Sequence, residues 1–447
     1  MKKLFAHYIR PLFLTSRLFA LLVAVAICFV FSFFLPFLYV IPRLLLIITV
    51  ILFFLDYLML FSREGVFARR TMAERLSNGD ENVISIYLQN KYPFKVTAGI
   101  IDEVPHQFQE RNIWFILIIS VGEGKHLNYS LRPVKRGEYE FGAVNVYARS
   151  FLGLIMRRYV FPGQQMVPVY PSYLQMRKYQ LMAISNRLSE IGVKKVRRIG
   201  HSMEFEQIKD YVQGDDIRTI NWKATARKSQ LMVNGYTDEK SQQIYCLIDK
   251  SRIMKMPFDG LSLLDYAINA TLVLTNVALL KQDKAGLITF SEEPGNFLPA
   301  SRKVTQMNAI LELLYKQKTR YLESDYDKLY VQIRSRITQR SLLVLFTNFE
   351  SVSGLQRQIK YLRKIAQQHL LMVVFFENTE LFSMIRKPSS NVEEIYTRTI
   401  AEKFVYEKKM IVKELRKYGI IAILSPPDQV TVNSVNKYLE LKARQMI

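Results

Sequence analysis

The segment that decides the fold begins with QIYCLIDKS at residues 243–251 and continues with LSLLDYAINATLVLTNVALLKQ at residues 261–282 and AGLITFSEE at residues 285–293. The first and third runs are apolar throughout, and the second is long enough for about six helical turns. Strands without polar alternation are typical of a parallel sheet that is buried on both faces. The segment therefore predicts a strand, a covering helix and a second parallel strand.

The same alternation continues to the end of the chain. Three more buried strands are predicted, each followed by an amphipathic helix; the strands are SLLVLFTNFES (341–351), LLMVVFFEN (370–378) and GIIAILSPP (419–427). This order predicts a doubly wound α/β (Rossmann-like) domain over residues 241–447, with ligands at the carboxyl ends of its strands.

The amino-terminal part carries two long apolar runs, at residues 18–41 and 44–61. Each can cross a hydrocarbon core of about 30 Å, and lysines and arginines flank their outer ends. We therefore expect a transmembrane helical hairpin over residues 1–76 in the inner (plasma) membrane, with both ends in the cytoplasm. A cleaved signal peptide is the alternative, but a second span follows the first at once. Asp56, near the inner end of the second run, is expected to reach interfacial water; a role inside the membrane is the alternative.

Residues 77–172 change character. Short β-branched and aromatic runs recur about every ten residues and are punctuated by Asn, Gly and Pro, as in a small β-sandwich-like domain. Residues 173–240 are expected to form a linker, with an amphipathic helix at 173–195 and a family-specific segment. A basic cluster at 194–198 is either a solvated linker or a contact with lipid headgroups.

The composition limits the partners. Lys and Arg number 62 against 39 Asp and Glu, giving a formal net charge of +23. No nucleic-acid-binding motif accompanies this charge, so lipid and acidic proteins are the expected partners, not nucleic acid. Cys28 and Cys246 lie in separate apolar runs and are not expected to pair, which fits a reducing compartment.

Oxygen-bearing side chains cluster after the predicted strands. Asp249 and Ser251 follow the first strand of the α/β domain, Asn348 follows the third, and Asp325 lies between them in sequence. Carboxylates, hydroxyls and amides are ligands that Mg²⁺ prefers. We expect Asp249, Ser251, Asp325 and Asn348 to meet at one sheet edge.

This arrangement resembles the von Willebrand factor A fold, in which an Asp-x-Ser-x-Ser loop, a Thr and an Asp form a metal-ion-dependent adhesion site. Ile253 stands where the second Ser belongs, Asn348 replaces the Asp, and Ser324 or Asp325 would have to substitute for the Thr. Two interpretations stay open: a working Mg²⁺ site, or a degenerate one in which Asp249 and Ser251 only cap the following loop.

The segment RRIGHSMEFEQIKDYVQGDDIRTINWKATARKSQLMVNGY at residues 197–236 resembles the hallmark of the bacterial and archaeal domain of unknown function 58 family. Locally it predicts a turn at 214–216, an N-cap, and a short helix at 217–227 with a packing face formed by Ile217, Ile220 and Ala224. The family positions are Glu204, Tyr211, Gly214, Asp215, Arg218, Asn221, Trp222, Lys223 and Arg227.

The resemblance implies a membrane-anchored protein that ends in a von Willebrand factor A-like domain. It also implies a MoxR-type AAA+ ATPase as partner, in the assembly or maturation of envelope or other protein complexes. The favoured hypothesis is a non-enzymatic adaptor, in which the segment at 197–236 is either a packed brace or a docking surface. The rival is a metal-dependent phosphoester hydrolase that uses Glu204, Asp215, Asp216 and Lys223.

Overall fold

The computed structural model divides the chain into two units, Met1–Tyr170 and Pro171–Ile447. It describes residues 10–34, 36–110, 113–177, 204–212, 215, 217–237, 241–386 and 391–447. The predicted helix at 173–195 is helical over residues 173–177, and the rest of it, with the basic cluster at 194–198, lies outside the described residues.

The described residues of the first unit include two long apolar helices, α1 (Ser16–Phe34) and α2 (Val40–Phe61), joined through a 3₁₀ turn at Pro36–Tyr39. By length and composition both could cross a membrane, and so could a third helix, Leu263–Leu280, in the second unit. The third helix is largely buried inside its own unit, whereas most side chains of α1 and α2 are exposed. The amino-terminal helices therefore suggest membrane association.

Among the described residues of the first unit, eleven strands form its β-rich part. They are β1 (Leu12–Leu14), β2 (Val66–Thr71), β3 (Leu76–Ser77), β4 (Asn82–Asn90), β5 (Val96–Asp102), β6 (Trp114–Ile119), β7 (Gly124–Leu131), β8 (Gly137–Phe141), β9 (Val144–Arg149), β10 (Ile155–Phe161) and β11 (Gln165–Tyr170). The described residues give a five-stranded sheet in the order β1-β10-β9-β5-β6, with three-stranded sheets β2-β4-β7 and β3-β11-β8. Alternating side chains, such as Ile84, Ile86 and Leu88, fill the core.

The strands begin earlier than residue 77, where the sequence placed their start. β1 precedes the first apolar helix and pairs with β10, and β2 pairs with β4 directly after the second helix. Residues on both sides of the helical hairpin are thus hydrogen-bonded into the β-rich part.

The sequence suggested that the Asp56 side chain reaches interfacial water, but in the structure it does not. Its side chain is fully buried in α2 and accepts hydrogen bonds from the Ser150 hydroxyl and from the backbone N–H groups of Leu154 (2.9 Å) and Ile155 (3.0 Å). These bonds join α2 to the loop between β9 and β10 and to the first residue of β10, and they supply the donors that a buried carboxylate needs.

The segment that resembles the family hallmark forms a small hairpin with a helix. β12 (Glu204–Asp210) pairs antiparallel with β13 (Met232–Thr237), and α3 (Trp222–Lys228) lies between them in sequence. The hairpin was not predicted.

A six-stranded sheet forms the core of the carboxyl-terminal region, in the order β18-β17-β14-β19-β20-β21. Its strands are β14 (Gln243–Asp249), β17 (Lys284–Phe290), β18 (Pro294–Ser301), β19 (Leu342–Phe346), β20 (Leu370–Phe376) and β21 (Ile421–Ser425), and a two-stranded ribbon, β15 (Pro257–Phe258) with β16 (Leu261–Ser262), follows β14. Five of the six strands are parallel, whereas β18 is antiparallel to β17.

Amphipathic or buried helices cover this sheet: α4 (Leu263–Leu280), α5 (Gln306–Tyr315), α6 (Tyr326–Arg336), α7 (Val352–Gln368), α8 (Thr379–Arg386), α9 (Val392–Lys417) and α10 (Val430–Ala443). α4 begins at Leu263 because Ser262 and Asp265 form a capping box. Strand β18 was not predicted from the sequence, and the single helix predicted between β20 and β21 is divided into α8 and α9.

Candidate functional site

The carboxyl edge of the six-stranded sheet gathers most of the predicted ligands. When the five parallel strands are numbered by their order in the chain, they lie across the sheet in the order 2-1-3-4-5. The first of them, β14, therefore lies between β17 and β19. The chain reverses its winding direction between β14 and β19, and crevices at such points bind ligands in open α/β sheets. Asp249 ends β14, and Asn348 lies two residues after β19.

Asp249 is fully buried at this point, and its carboxylate accepts three hydrogen bonds. One oxygen accepts from the Ser251 N–H (2.9 Å) and from the Ser324 hydroxyl, and the other accepts from the Thr347 hydroxyl (2.6 Å). The Tyr326 hydroxyl contacts Thr347 at 2.9 Å, and burial raises the pKa of Tyr326. The carboxylate therefore ties three loops together.

The four predicted ligands divide into two groups. Asp249, Ser251 and Asn348 line one cavity of about 110 Å³. Asp325 lies outside that lining; it is the N-cap of α6, where it accepts from the backbone N–H groups of Asp327 (3.0 Å) and Lys328 (3.2 Å). A helix cap uses the same carboxylate oxygens that a metal would need.

The donor set fits Mg²⁺ poorly. The Ser251 hydroxyl is buried and has no hydrogen-bond partner among the described residues, whereas the oxygens of Asp249 and Asn348 already accept hydrogen bonds. The side-chain oxygen of Asn348 accepts a hydrogen bond from the Lys408 ammonium, which places a positive charge where a divalent ion would need an anionic ligand. Within the part of the chain that the structure describes, no three His, Cys, Asp or Glu side chains are arranged to hold a metal ion.

Lys408 also lines a second, more apolar cavity of about 300 Å³ beside the first. Burial lowers the pKa of Lys408 to about 8, although Glu350 and Glu377 act in the opposite direction, and burial raises the pKa of Glu377. This site was not predicted from the sequence. The sequence does contain a signal for it, because Lys408 lies in the apolar stripe of α9, at helical spacing between Phe404 and Ile411.

The hairpin module, defined as the described residues within 204–237, contains the remaining predicted site residues except Gly214 and Asp216. Its helix begins at Trp222, later than expected, because the Asn221 side chain accepts from the Ala224 N–H (3.0 Å) and acts as the N-cap. The Lys209 ammonium (2.9 Å) and the Val212 N–H hold the pKa of Asp215 below its ordinary value.

The predicted hydrolase residues are only partly described. Asp216 and Gly214 lie outside the described residues, and only the backbone of Glu204 and Arg218 is described. Asp215 forms an exposed ion pair with Lys209, and Lys223 is exposed. The described residues therefore do not assemble the predicted pair of carboxylates with a lysine.

Most of the module's large apolar side chains face solvent. Trp222 and Ile217 are each 70% exposed, so the packing face predicted for Ile217 is not formed there. Val212 and Leu231 are exposed as well, together with the basic side chains of α3. Tyr211 is half-buried, and its N–H donates to the Leu231 carbonyl (2.8 Å).

Comparison with known proteins gives similarity for the central part of the chain. Residues 207–381 match the family model described as protein of unknown function DUF58. The uncharacterized protein YeaD of Bacillus subtilis (strain 168) is 28% identical over 197 residues, 41% of this chain and 47% of the relative. The match thus spans about half of the curated relative's length.

Two solved structures resemble parts of the chain at low TM-scores. The conserved hypothetical protein BatB from Bacteroides thetaiotaomicron is 13% identical and covers 46% of this chain and 99% of its own, with a TM-score of 0.31. The CARDB domain of the PF1109 protein from Pyrococcus furiosus is 10% identical and covers 23% of this chain and 86% of its own, with a TM-score of 0.17.

Proposed function

We propose that the protein is a membrane-anchored, non-enzymatic adaptor that docks a MoxR-type AAA+ ATPase. In this proposal α1 and α2 form a two-pass anchor in the inner membrane. The β-rich and α/β regions face the cytoplasm, where such an ATPase would act on assembling membrane or envelope complexes. The strand order around Asp249 and the Asp-x-Ser loop support a von Willebrand factor A-like α/β domain.

The observation that carries this proposal is the exposed apolar surface of the hairpin module. An isolated two-stranded hairpin is marginally stable in water, and its large apolar side chains normally pack against a further layer. Here Trp222, Ile217 and Val212 face solvent instead. Exposed aromatic residues of this kind are typical of the central contacts in protein interfaces.

The charge of the module adds a second property of the partner. Lys223, Arg227 and Lys228 are exposed on α3, around Trp222. An acidic patch on the ATPase would complement them and would accelerate encounter. The docking surface therefore has an aromatic centre and a basic rim.

Co-purification tests the proposal. The detergent-solubilised full chain should retain the ATPase in the presence of ATP, and Trp222→Ala should release it. Tyr396→Ala is a matched control, because Tyr396 is an equally exposed aromatic residue (69%) on α9. Failure of the unsubstituted chain to form any complex with ATP present would refute the proposal.

A further inference from the structure

The β-rich part of the first unit is bonded to α2 inside the helix, not merely at its end. Asp56 lies five residues before the last residue of α2, Phe61, which is about 7 Å along the helix axis. The loop between β9 and β10 donates two hydrogen bonds to that carboxylate, and Ile155, the first residue of β10, donates a third. The loop must therefore lie beside the last turns of α2.

The same loop also contacts the beginning of α1. The Thr15 hydroxyl donates to the carbonyl oxygens of Gly153 (2.7 Å) and Leu154 (2.9 Å), and the Thr15 N–H donates to Leu154 (3.2 Å). Phe151, in this loop, is 66% exposed. A large apolar side chain therefore projects outward from a loop that is hydrogen-bonded both to Thr15, directly before α1, and to Asp56 in α2.

The outer face of the five-stranded sheet carries a row of aromatic rings that begins next to α1, with Arg149 and Arg158 on the same face. β1 ends two residues before α1, and its Phe13 ring contacts Tyr147 on β9, with ring centroids 5.4 Å apart. Tyr147 in turn contacts Trp114 on β6 at 5.5 Å. The aromatic row therefore runs from the start of α1 across the sheet.

Strand β6 extends this surface. Trp114, Ile116 and Ile118 alternate with half-buried or buried residues, and each is about half exposed. An antiparallel sheet that packs one face on the core normally presents polar side chains on the other. The outward positions of β6 are apolar instead, so this face has the composition of a surface that is covered in use.

We infer that this face, with Phe151, lies in the interfacial layer of the lipid bilayer. The layer is about 5–8 Å thick on each side of the hydrocarbon core, and Trp and Tyr are enriched in it. The aromatic row starts at the residues that lead into α1, and the Phe151 loop is hydrogen-bonded to α2, so the surface is continuous with the proposed anchor. The inference rests on the membrane anchor but not on the ATPase partner.

The two tryptophans of the chain allow a direct test. The full chain is reconstituted in liposomes whose acyl chains carry bromine, a contact quencher. In Trp222→Phe, which leaves Trp114, we expect loss of most emission with brominated lipid and little quenching by aqueous iodide. In Trp114→Phe, which leaves Trp222 on the hairpin module, we expect the reverse.

Two further variants, made in a chain that lacks both tryptophans, separate the possible failures. Phe31→Trp, on the exposed side of α1, reports whether the anchor inserts, and Phe151→Trp reports the loop. Quenching of both by brominated lipid, together with Trp114, supports the inference. If only the α1 probe is quenched, the anchor inserts but water, a partner or a second copy covers the face, and the inference is overturned. If the α1 probe is not quenched, the anchor itself fails, and the inference fails with it.

Discussion

Replacing Lys408 by methionine tests whether the cavity beneath α9 holds a desolvated ammonium. Burial lowers the pKa of Lys408 from an ordinary value of 10.5 to about 8, and Glu350 and Glu377 only partly oppose this. Each pKa unit corresponds to about 1.4 kcal/mol, so the shift represents about 3 kcal/mol of destabilisation when the amine is charged.

The sign of the pH dependence follows from proton binding. Between pH 8 and 10.5 the unfolded chain keeps the proton that the folded chain has lost. The free energy of unfolding of the unsubstituted protein should therefore rise with pH through this window. Lys408→Met has no proton to lose, so its stability relative to the unsubstituted protein should fall by about 3 kcal/mol over the same window. At neutral pH the variant loses the hydrogen bond to Asn348, about 1.5–3 kcal/mol, but is also relieved of the cost of the charged amine, so the slope with pH is the informative quantity.

The assay can report on the α/β region alone. Cys246 is fully buried in β14, and burial raises the pKa of its thiol to about 12. In a Cys28→Ser background, brief labelling with a disulfide reagent along a urea series measures unfolding around Cys246. Effects of Cys246 itself cancel between the variants. Lys409→Met, one residue further along α9, is the matched control. Equal pH slopes for Lys408→Met and the unsubstituted chain would refute the reasoning.

Three further predictions concern the α/β region, the β-rich region and the orientation of the chain in the membrane. Asp249→Asn should lower the free energy of unfolding of the α/β region in urea by about 2–4 kcal/mol, because buried donors lose a charged acceptor. Millimolar Mg²⁺ should leave the unfolding midpoint of the unsubstituted chain unchanged. A rise of the midpoint with Mg²⁺ would instead support a working metal site at Asp249. Asp102→Asn should lower the free energy of unfolding of the β-rich region by about 3 kcal/mol, because it leaves the buried Arg70 guanidinium (2.5 Å from Asp102) without its counter-charge. Trp114 emission measures this unfolding, and an unchanged midpoint would refute the prediction. A reporter fused after Ile447 should be active only in the cytoplasm, and periplasmic activity would overturn the proposed orientation.

The α/β region was predictable because its strands are apolar on both faces. β14, β17, β19, β20 and β21 each read as a continuous apolar run, and their order then brings Asp249 and Asn348 to one edge. β18, in contrast, has an antiparallel partner and a mixed sequence, PGNFLPAS, with two prolines and a glycine. Such an edge strand carries no strong periodic signal.

The contacts of individual polar residues were not predictable from spacing. Asp325 could have joined Asp249, but its position directly before α6 makes it a cap. Asp56 looked solvent-directed because its donors, in the loop that begins at Ser150, are distant in sequence. Lys408 lies among apolar residues of α9, and only the folded sheet shows that it bonds to Asn348.

The dissociation constant of the complex between the full chain and the MoxR-type ATPase tests the central claim most directly. With the chain in lipid nanodiscs and ATP present, we predict a saturable complex that Trp222→Ala weakens about 30-fold, the equivalent of a 2 kcal/mol interface contact. Tyr396→Ala should leave the constant unchanged. Absence of binding, or equal binding by Trp222→Ala and the unsubstituted chain, would contradict the docking role of the hairpin module.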